Sequence, residues 1–227
     1  MRDDAKISVV IPAKNEQASI QDIITKTKPL VDEVLVVDGH STDGTREIAE
    51  QAGARVVLDN RKGKGDGIRV GIREATGDVI VFMDADGSHD PQDIPRLVKP
   101  ILDGQADLVI GSRMTGGSDE LHGDISRFIR MTGSHILLLM INYRWDIRLT
   151  DCQNGYRAIK TEVARKIQLT EDLHTIEEEM VMKCLKHRYR VTEVPSHEYE
   201  RQYGSSTLDL FGTWYRFVWC ILKNYFV

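Results

Sequence analysis

Residues 79–88 read Val79-Ile80-Val81-Phe82-Met83-Asp84-Ala85-Asp86-Gly87-Ser88. An unbroken apolar run of strand length, Val79–Met83, empties into two acids separated by a single residue. Continuous apolar strands, rather than alternating ones, are those buried on both faces, as in parallel sheets covered by helices. Like charges this close repel each other. A cation is the simplest reason to hold both at one strand end, although an Asx-type turn after a strand reads the same way.

The pattern repeats outward from this stretch. Upstream, Ile7–Ile11 is a β-branched strand ended by Pro12. Glu16–Lys28 carries Ile20, Ile23 and Ile24 at helical spacing. Val34–Val37 is a second strand, and Asp43–Ala52 a helix with Ser41 or Thr42 as its cap. Arg55–Leu58 is a third strand, and Lys64–Ala75 a helix with Ile68, Val70, Gly71 and Ile72. Downstream, Pro91–Leu102 is a helix with proline at its start, and Leu108–Ile110 a fifth strand. This order predicts an α/β fold with a mainly parallel sheet flanked by helices. The second half is less regular. Met114–Gly123 reads as a loop, Ile125–Tyr143 as a helix, and Arg157–Lys160 as a short strand leading to a helix from about Thr161. Glu177–His187 is a helix with Met180, Val181, Cys184 and Leu185 on one face, and Val191–Pro195 is a final strand.

Composition narrows the function classes. Hydrophobic residues are 41% of the 227 and charged residues 29%, with a net charge of −5. That is an ordinary soluble balance, enough for one well-cored domain. It excludes a general nucleic-acid binder, which needs a concentrated basic surface, but not a local pocket for a small phosphate ligand. Cys152, Cys184 and Cys220 form no CxxC pair and are odd in number. A disulfide framework or zinc site is not expected, and a reducing compartment is. The charged N-terminus runs straight into a strand, so no signal peptide is read there. No stretch holds about 18 uninterrupted apolar residues, so no membrane span is expected.

In such sheets ligands bind beyond the carboxyl ends of the strands. The polar residues following the strands are Lys14, Asn15 and Glu16; Asp38; Asn60, Arg61 and Lys62; Asp84 and Asp86; and Ser112 and Arg113. Asp84 and Asp86 suit Mg2+ or Mn2+, which take oxygen ligands and need few protein carboxylates when a diphosphate supplies the rest. Ser88 adds a hydroxyl. Asp38 can accept from a nucleobase or ribose, whereas Asp43 and Thr45 also fit a turn and cap. In Arg61-Lys62-Gly63-Lys64-Gly65-Asp66-Gly67 the glycines allow close approach of a ligand to a helix N-terminus, although no P-loop pattern is present. The histidines, among them His89, His174 and His197, lack metal-ligand spacing and read as structural or surface groups.

The runs IPAKNE, VVDGHSTDGT, KGKGDGIRVGI, MDADGSHDP and IGSR together resemble family-2 glycosyltransferases of the GT-A fold. Among these the chain is most similar to the polyprenyl-phosphate sugar synthases typified by dolichol-phosphate mannose synthase, over about Ile7 to Leu208. The resemblance implies one GT-A domain over 1–207, with a nucleotide-sugar half (1–115), an acceptor half (116–207) and an amphipathic tail helix (208–227). Pro12, Asn15, Glu16, Asp38, Lys64, Asp84, Ala85 and Asp86 would bind the nucleotide-sugar, with Asp84, Asp86 and Ser88 holding Mg2+ or Mn2+. Asp86, Arg113, Glu179 and Arg201 would be catalytic. Arg113, Arg127, Arg201 and Ser206 would meet an acceptor phosphate. Asp151–Arg157 resembles an acceptor-side segment, D-x-x-S-G-[FY]-[RK]. In Glu177-Glu178-Glu179, Glu179 matches the Glu of a Gln-x-Glu element, and Glu177 replaces its Gln. In the late R-x-x-G-x-S-[KR] element, Arg201, Gly204 and Ser206 match, but Thr207 stands where a basic residue is usual.

The expected reaction is an inverting displacement at the anomeric carbon of a GDP- or UDP-sugar. A hydroxyl acceptor needs a base, for which Asp172 and Glu179 are the candidates. A polyprenyl (dolichyl-type) phosphate is already anionic and needs arginines instead. Arg127 and Arg130, three apart on one helix, fit either an acceptor clamp or a solvated face. The tail, LDLFGTWYRFVWCILKNYFV, is rich in aromatic residues and carries Arg216 and Lys223. It suits a membrane-surface helix, or else packing on the domain or a dimer partner. The expectation is therefore a cytoplasmic protein, peripheral at the cytoplasmic face of a membrane and acting alone, as a homo-oligomer or with a membrane-anchoring subunit. A glycan-extending transferase and a non-catalytic nucleotide-sugar-binding subunit are the competing readings. The intact acid pair argues against the second.

Overall fold

A computed structural model of the chain describes residues 5–119, 125–201 and 210–226. The first half runs β1 (Ile7–Ala13), α1 (Ile20–Thr27), β2 (Glu33–Asp38), α2 (Thr45–Gln51), β3 (Arg55–Leu58), α3 (Lys64–Glu74), β4 (Val79–Phe82), α4 (Ile94–Leu102) and β5 (Leu108–Ser112). The second half follows with α5 (Arg113–Gly116), α6 (Ile125–Trp145), β6 (Arg157–Lys160), α7 (Thr161–Lys166), α8 (Ile176–Lys186), β7 (Val191–Pro195) and α9 (Leu210–Phe226). All strands join one seven-stranded sheet in the order β3-β2-β1-β4-β6-β5-β7.

The expected α/β sandwich is present, and the uninterrupted apolar strands are its cause. Along β1, Val9, Ile11 and Ala13 face one core while Val10 faces the other. α1, α2 and α4 supply the first core. α3, α7 and α8 supply the second. Gly71 lies so close to Val10 that a Cβ there would clash, which draws α3 onto β1. Several elements differ at their starts. α1 begins at Ile20 rather than Glu16. α2 begins at Thr45 with Gly44 as its cap, because Asp43 turns back to accept from the Thr45 amide and hydroxyl. Part of the expected 114–123 loop is helical, as α5.

β6 is antiparallel to both β4 and β5, while the remaining pairs are parallel. Arg157, its first residue, pairs with Phe82, the last of β4. β6 therefore starts at the mouth where the parallel strands end, and this places the segment before it, Asp151–Tyr156, beside Asp84 and Asp86. α9 packs through Cys220, Ile221 and Asn224, and Tyr225 meets Trp145 of α6 edge to face. The packed-helix alternative thus holds for one face of the tail. No helix among the described residues is long and apolar enough to cross a membrane.

Candidate active site

The loop after β4 delivers two carboxylates, and the surrounding elements deliver their counter-charges. Lys64, the first residue of α3, sets its ammonium 2.7 Å from Asp84 Oδ1 and 3.0 Å from Glu177 Oε1. Arg201 Nε lies 3.2 Å from Asp86 Oδ2. Burial alone would raise the Asp84 carboxyl, but the charge and hydrogen bond of Lys64 hold it well below the ordinary range. Lys64 is raised in turn: burial opposes its charge, and Asp84 and Glu177 outweigh burial. Asp86 Oδ1 accepts from the Ser88 amide at 3.0 Å and its hydroxyl at 2.7 Å. Ser88 thus braces Asp86 rather than pointing independently into the site. Half-buried Glu16 is pushed up to about 7 by burial and then by the charge of Asp86. The Ala85 carbonyl accepts from Ser19 Oγ at 2.6 Å, which ties the acid loop to the start of α1.

The loops after β1 and β2 are stitched together at the rim. The Asn15 amide donates to Ser41 Oγ and its side-chain oxygen accepts from the Thr42 amide. Pro12 does not end β1, which runs on to Ala13, and it lies beside Gly67. The structure thus gathers Pro12, Asn15, Glu16, Lys64, Asp84, Ala85, Asp86, Ser88 and Arg201 at one end of the sheet. Arg127 falls on α6, but its side chain, like Ser206, lies outside the described residues.

Four expectations are corrected. Asp38 is fully buried, and its carboxylate is taken by Arg46 and the Ser41 amide, so it anchors the rim rather than facing a nucleobase. Arg113 is forked onto Asp151, at 2.6 and 3.1 Å, with Glu198 at 3.3 Å. Both carboxylates hold the guanidinium against the acceptor-side segment, so in this structure it braces that segment rather than facing an acceptor phosphate or the reacting atoms. Glu179 is also withdrawn: it is fully buried and accepts from the Thr170 and Glu171 amides and from Lys183. The acid of α8 that meets the site is Glu177.

The fourth correction concerns the glycine-rich turn. A Cβ on Gly65 would lie 2.5 Å from the Glu171 carbonyl oxygen and 2.7 Å from the Asp172 carbonyl carbon. The Gly65 and Asp66 amides donate to the Asp172 carbonyl. What approaches the α3 N-terminus is therefore the chain's own 171–173 backbone. That contact aims Lys64. Gly65→Ala is expected to destabilise the fold by about 2 kcal/mol, since backbone cannot yield as a side chain can. A thermal melt that matches the parent chain would refute this.

Three residues that were not among the expected site residues also lie here. Glu177 is buried on α8, which the run of three acids gave no reason to expect. Its Oε2 is buried without a partner. Gly155 is another: a Cβ there would sit 2.8 Å from Asp84 Oδ2 and 3.1 Å from Lys64 Nζ. His89, read as structural, lies directly under Asp84.

The family model described as glycosyl transferase family 2 matches residues 8–168. Glycosyltransferase AglJ of Haloferax volcanii is 34% identical over 206 residues, which are 88% of this chain and 65% of AglJ. The chain thus spans slightly less than two thirds of that relative's length. Undecaprenyl-phosphate mannosyltransferase of Micrococcus luteus is 33% identical over 223 residues, 90% of this chain and 88% of the enzyme. Glucosyl-3-phosphoglycerate synthase of Mycobacterium tuberculosis, solved with Mn2+, UDP and glucosyl-3-phosphoglycerate, superposes with a TM-score of 0.77 at 26% identity, over 98% of this chain and 80% of the synthase. The sheet order, the acid pair at the mouth of β4 and these matches agree: the chain has the GT-A fold and belongs to glycosyl transferase family 2.

Proposed function

We propose that the chain transfers a hexose, with inversion, from a nucleotide-sugar (GDP-mannose or a UDP-hexose) to a polyprenyl phosphate, and that Mg2+ or Mn2+ assists. The observation that carries this reading is the Asp84–Asp86 pair at the end of β4, with Lys64 and Arg201 set against it. The donor set fits such an ion. Among the described residues no group of three or more His, Cys, Asp or Glu forms a metal site by itself. Two carboxylates are nonetheless what a magnesium-type ion takes from protein when a diphosphate supplies further oxygens. Bound there, the ion would neutralise charge on the departing diphosphate. Asp84 and Asp86 would hold it, Lys64 and Arg201 would turn to the phosphates, and Glu177 would keep Lys64 aligned.

The acceptor assignment rests on which acids are occupied. Glu179 is committed as described, and Asp172 pairs with Arg69. Neither is poised to deprotonate a hydroxyl, whereas a phosphate acceptor needs no base. The Micrococcus relative acts, by its name, on undecaprenyl phosphate. A hydroxyl acceptor is the second reading, favoured by the likeness to the glucosyl-3-phosphoglycerate synthase. We further assign residues 1–207 to one domain with halves at 1–115 and 116–207, since β6 and β7 complete the sheet of the first half. We also propose that the chain works at the cytoplasmic face of a membrane. α6 exposes Ile136, Leu139, Met140 and Tyr143, and α9 exposes Tyr215, Val218, Trp219 and Leu222. Both sets follow i, i+3, i+4, i+7 spacing, an apolar stripe on each of two touching helices.

The test is transfer from a panel of GDP- and UDP-sugars to polyprenyl phosphate in anionic vesicles, with Mg2+, Mn2+ or chelator. A chelator-sensitive lipid product supports the reading. Chelator-sensitive transfer only to a soluble hydroxyl acceptor selects the second. Trp219→Glu is expected to lower vesicle binding about tenfold; unchanged binding removes the membrane assignment.

A further inference from the structure

The loop bearing the acids is fastened from below by one imidazole. His89 Nδ1 meets the Asp84 amide at 3.4 Å, and His89 Nε2 meets Asn154 Oδ1 at 3.1 Å. The ring stacks on Tyr156, with centroids 4.7 Å apart and planes 18° apart. Its surroundings fix every role. The Asp84 N–H can only donate, so Nδ1 accepts and the ring proton sits on Nε2. Asn154 Nδ2 donates to the Gly111 carbonyl, which turns Asn154 Oδ1 toward its two donors, His89 Nε2 and the Tyr156 amide. Asn154 is held through its own amide by Asp151, and the Tyr156 hydroxyl donates to the Asp90 carbonyl at 2.8 Å. The loop at 84–90 and the acceptor-side segment at 151–157 are therefore joined at the Asp84 end through this ring and at the Asp90 end through the Tyr156 hydroxyl. Gly155, between Asn154 and Tyr156, is the residue pressed against the Asp84 carboxylate.

We infer that His89 is a positioning residue: by holding the Asp84 amide it sets the direction of the Asp84 carboxylate, and through Asn154 it locks that carboxylate to the acceptor-side segment. This rests on the reading of Asp84 as a ligand of a divalent cation. Partners that orient ligands of a metal commonly change its affinity by about 10- to 100-fold when removed.

Two substitutions separate the roles. In His89→Asn the amide oxygen can take the place of Nδ1 and keep the Asp84 bond while losing Asn154. In His89→Gln the amide nitrogen can take the place of Nε2 and keep Asn154 while losing Asp84. Mn2+ binding is followed by electron paramagnetic resonance, with UDP or GDP present, alongside thermal melts. Both variants lose one hydrogen bond and the stack, so similar drops in Tm are expected. Mn2+ affinity is expected to fall about tenfold in His89→Gln and to stay within about threefold in His89→Asn. Equal Mn2+ affinities in the two variants, or unchanged affinity in His89→Gln, overturn the positioning role while leaving the metal reading intact. Failure of the parent chain to bind Mn2+ with either nucleotide overturns the metal reading and this inference together.

Discussion

Asp86→Asn is expected to lower turnover by about a thousandfold or more while leaving the fold in place. The geometry separates the two effects. Asp86 Oδ1 accepts from the Ser88 amide and hydroxyl, and an asparagine oxygen can accept both. What disappears is the negative charge, which in the proposed function binds the cation and in this structure draws Arg201 to Oδ2. Because the charge sits close to Asp84 and Glu16, removing it also relieves repulsion. The Glu16 carboxyl, pushed up to about 7 partly by Asp86, should then fall toward its ordinary value. The melting temperature is thus expected to hold or rise slightly. Turnover at saturating Mg2+ or Mn2+, measured beside a thermal melt, checks both halves. A variant with parental turnover would remove the acid pair from the chemistry, and with it the observation on which the proposed function stands.

The sheet was legible because its strands are buried on both faces. Runs such as Val79–Phe82 have no polar face to present, and the helices between them carry one apolar stripe each. The direction of β6 was not legible. Arg157–Lys160 is too short to carry an orientation signal, and its reversal follows from the long return through α6, which brings the chain back at the mouth of the sheet. The site was half legible. The position of Asp84 and Asp86 follows from a strand ending in charge. The glycine-rich turn showed that something must come close to α3, but not that the 171–173 backbone is what comes. Arg113 and Asp38 failed for one shared reason: a charge at a strand end reads the same whether its partner is a ligand or another residue. Asp151 and Glu198, which neutralise Arg113, come from distant parts of the chain, and Arg46, which pairs with Asp38, comes from the next helix. His89 escaped because its function lies in a hydrogen bond to backbone, for which residue type is no guide.

The α8 acids give the sharpest contrast between neighbours. Glu177→Gln is expected to lower kcat/KM by about a hundredfold, because misplacing a group by about 1 Å can have that effect. The glutamine oxygen can still accept from Lys64, but with the charge gone Asp84 is its one remaining carboxylate partner and pulls it closer. Glu179→Gln should do the reverse, leaving activity within about threefold and lowering stability by about 2–3 kcal/mol. The Glu179 carboxylate accepts from the Thr170 amide at 2.9 Å, the Thr170 hydroxyl at 2.6 Å and the Glu171 amide at 2.8 Å, and it pairs with Lys183 at 2.9 Å. Burial would raise its carboxyl, but Lys183 and Thr170 outweigh burial and hold it below the ordinary value. A carboxyl lowered in the folded state adds stability above its unfolded pKa and loses it as pH falls through the folded one. The stability gap between the parent and Glu179→Gln should therefore be full at pH 7 and narrow below about pH 4.3. Thermal melts at both pH values, with steady-state kinetics at pH 7, distinguish the pair. If Glu179→Gln lost activity at unchanged stability while Glu177→Gln did not, the acid facing the donor would be Glu179 after all, and α8 would have to turn by two residues to present it.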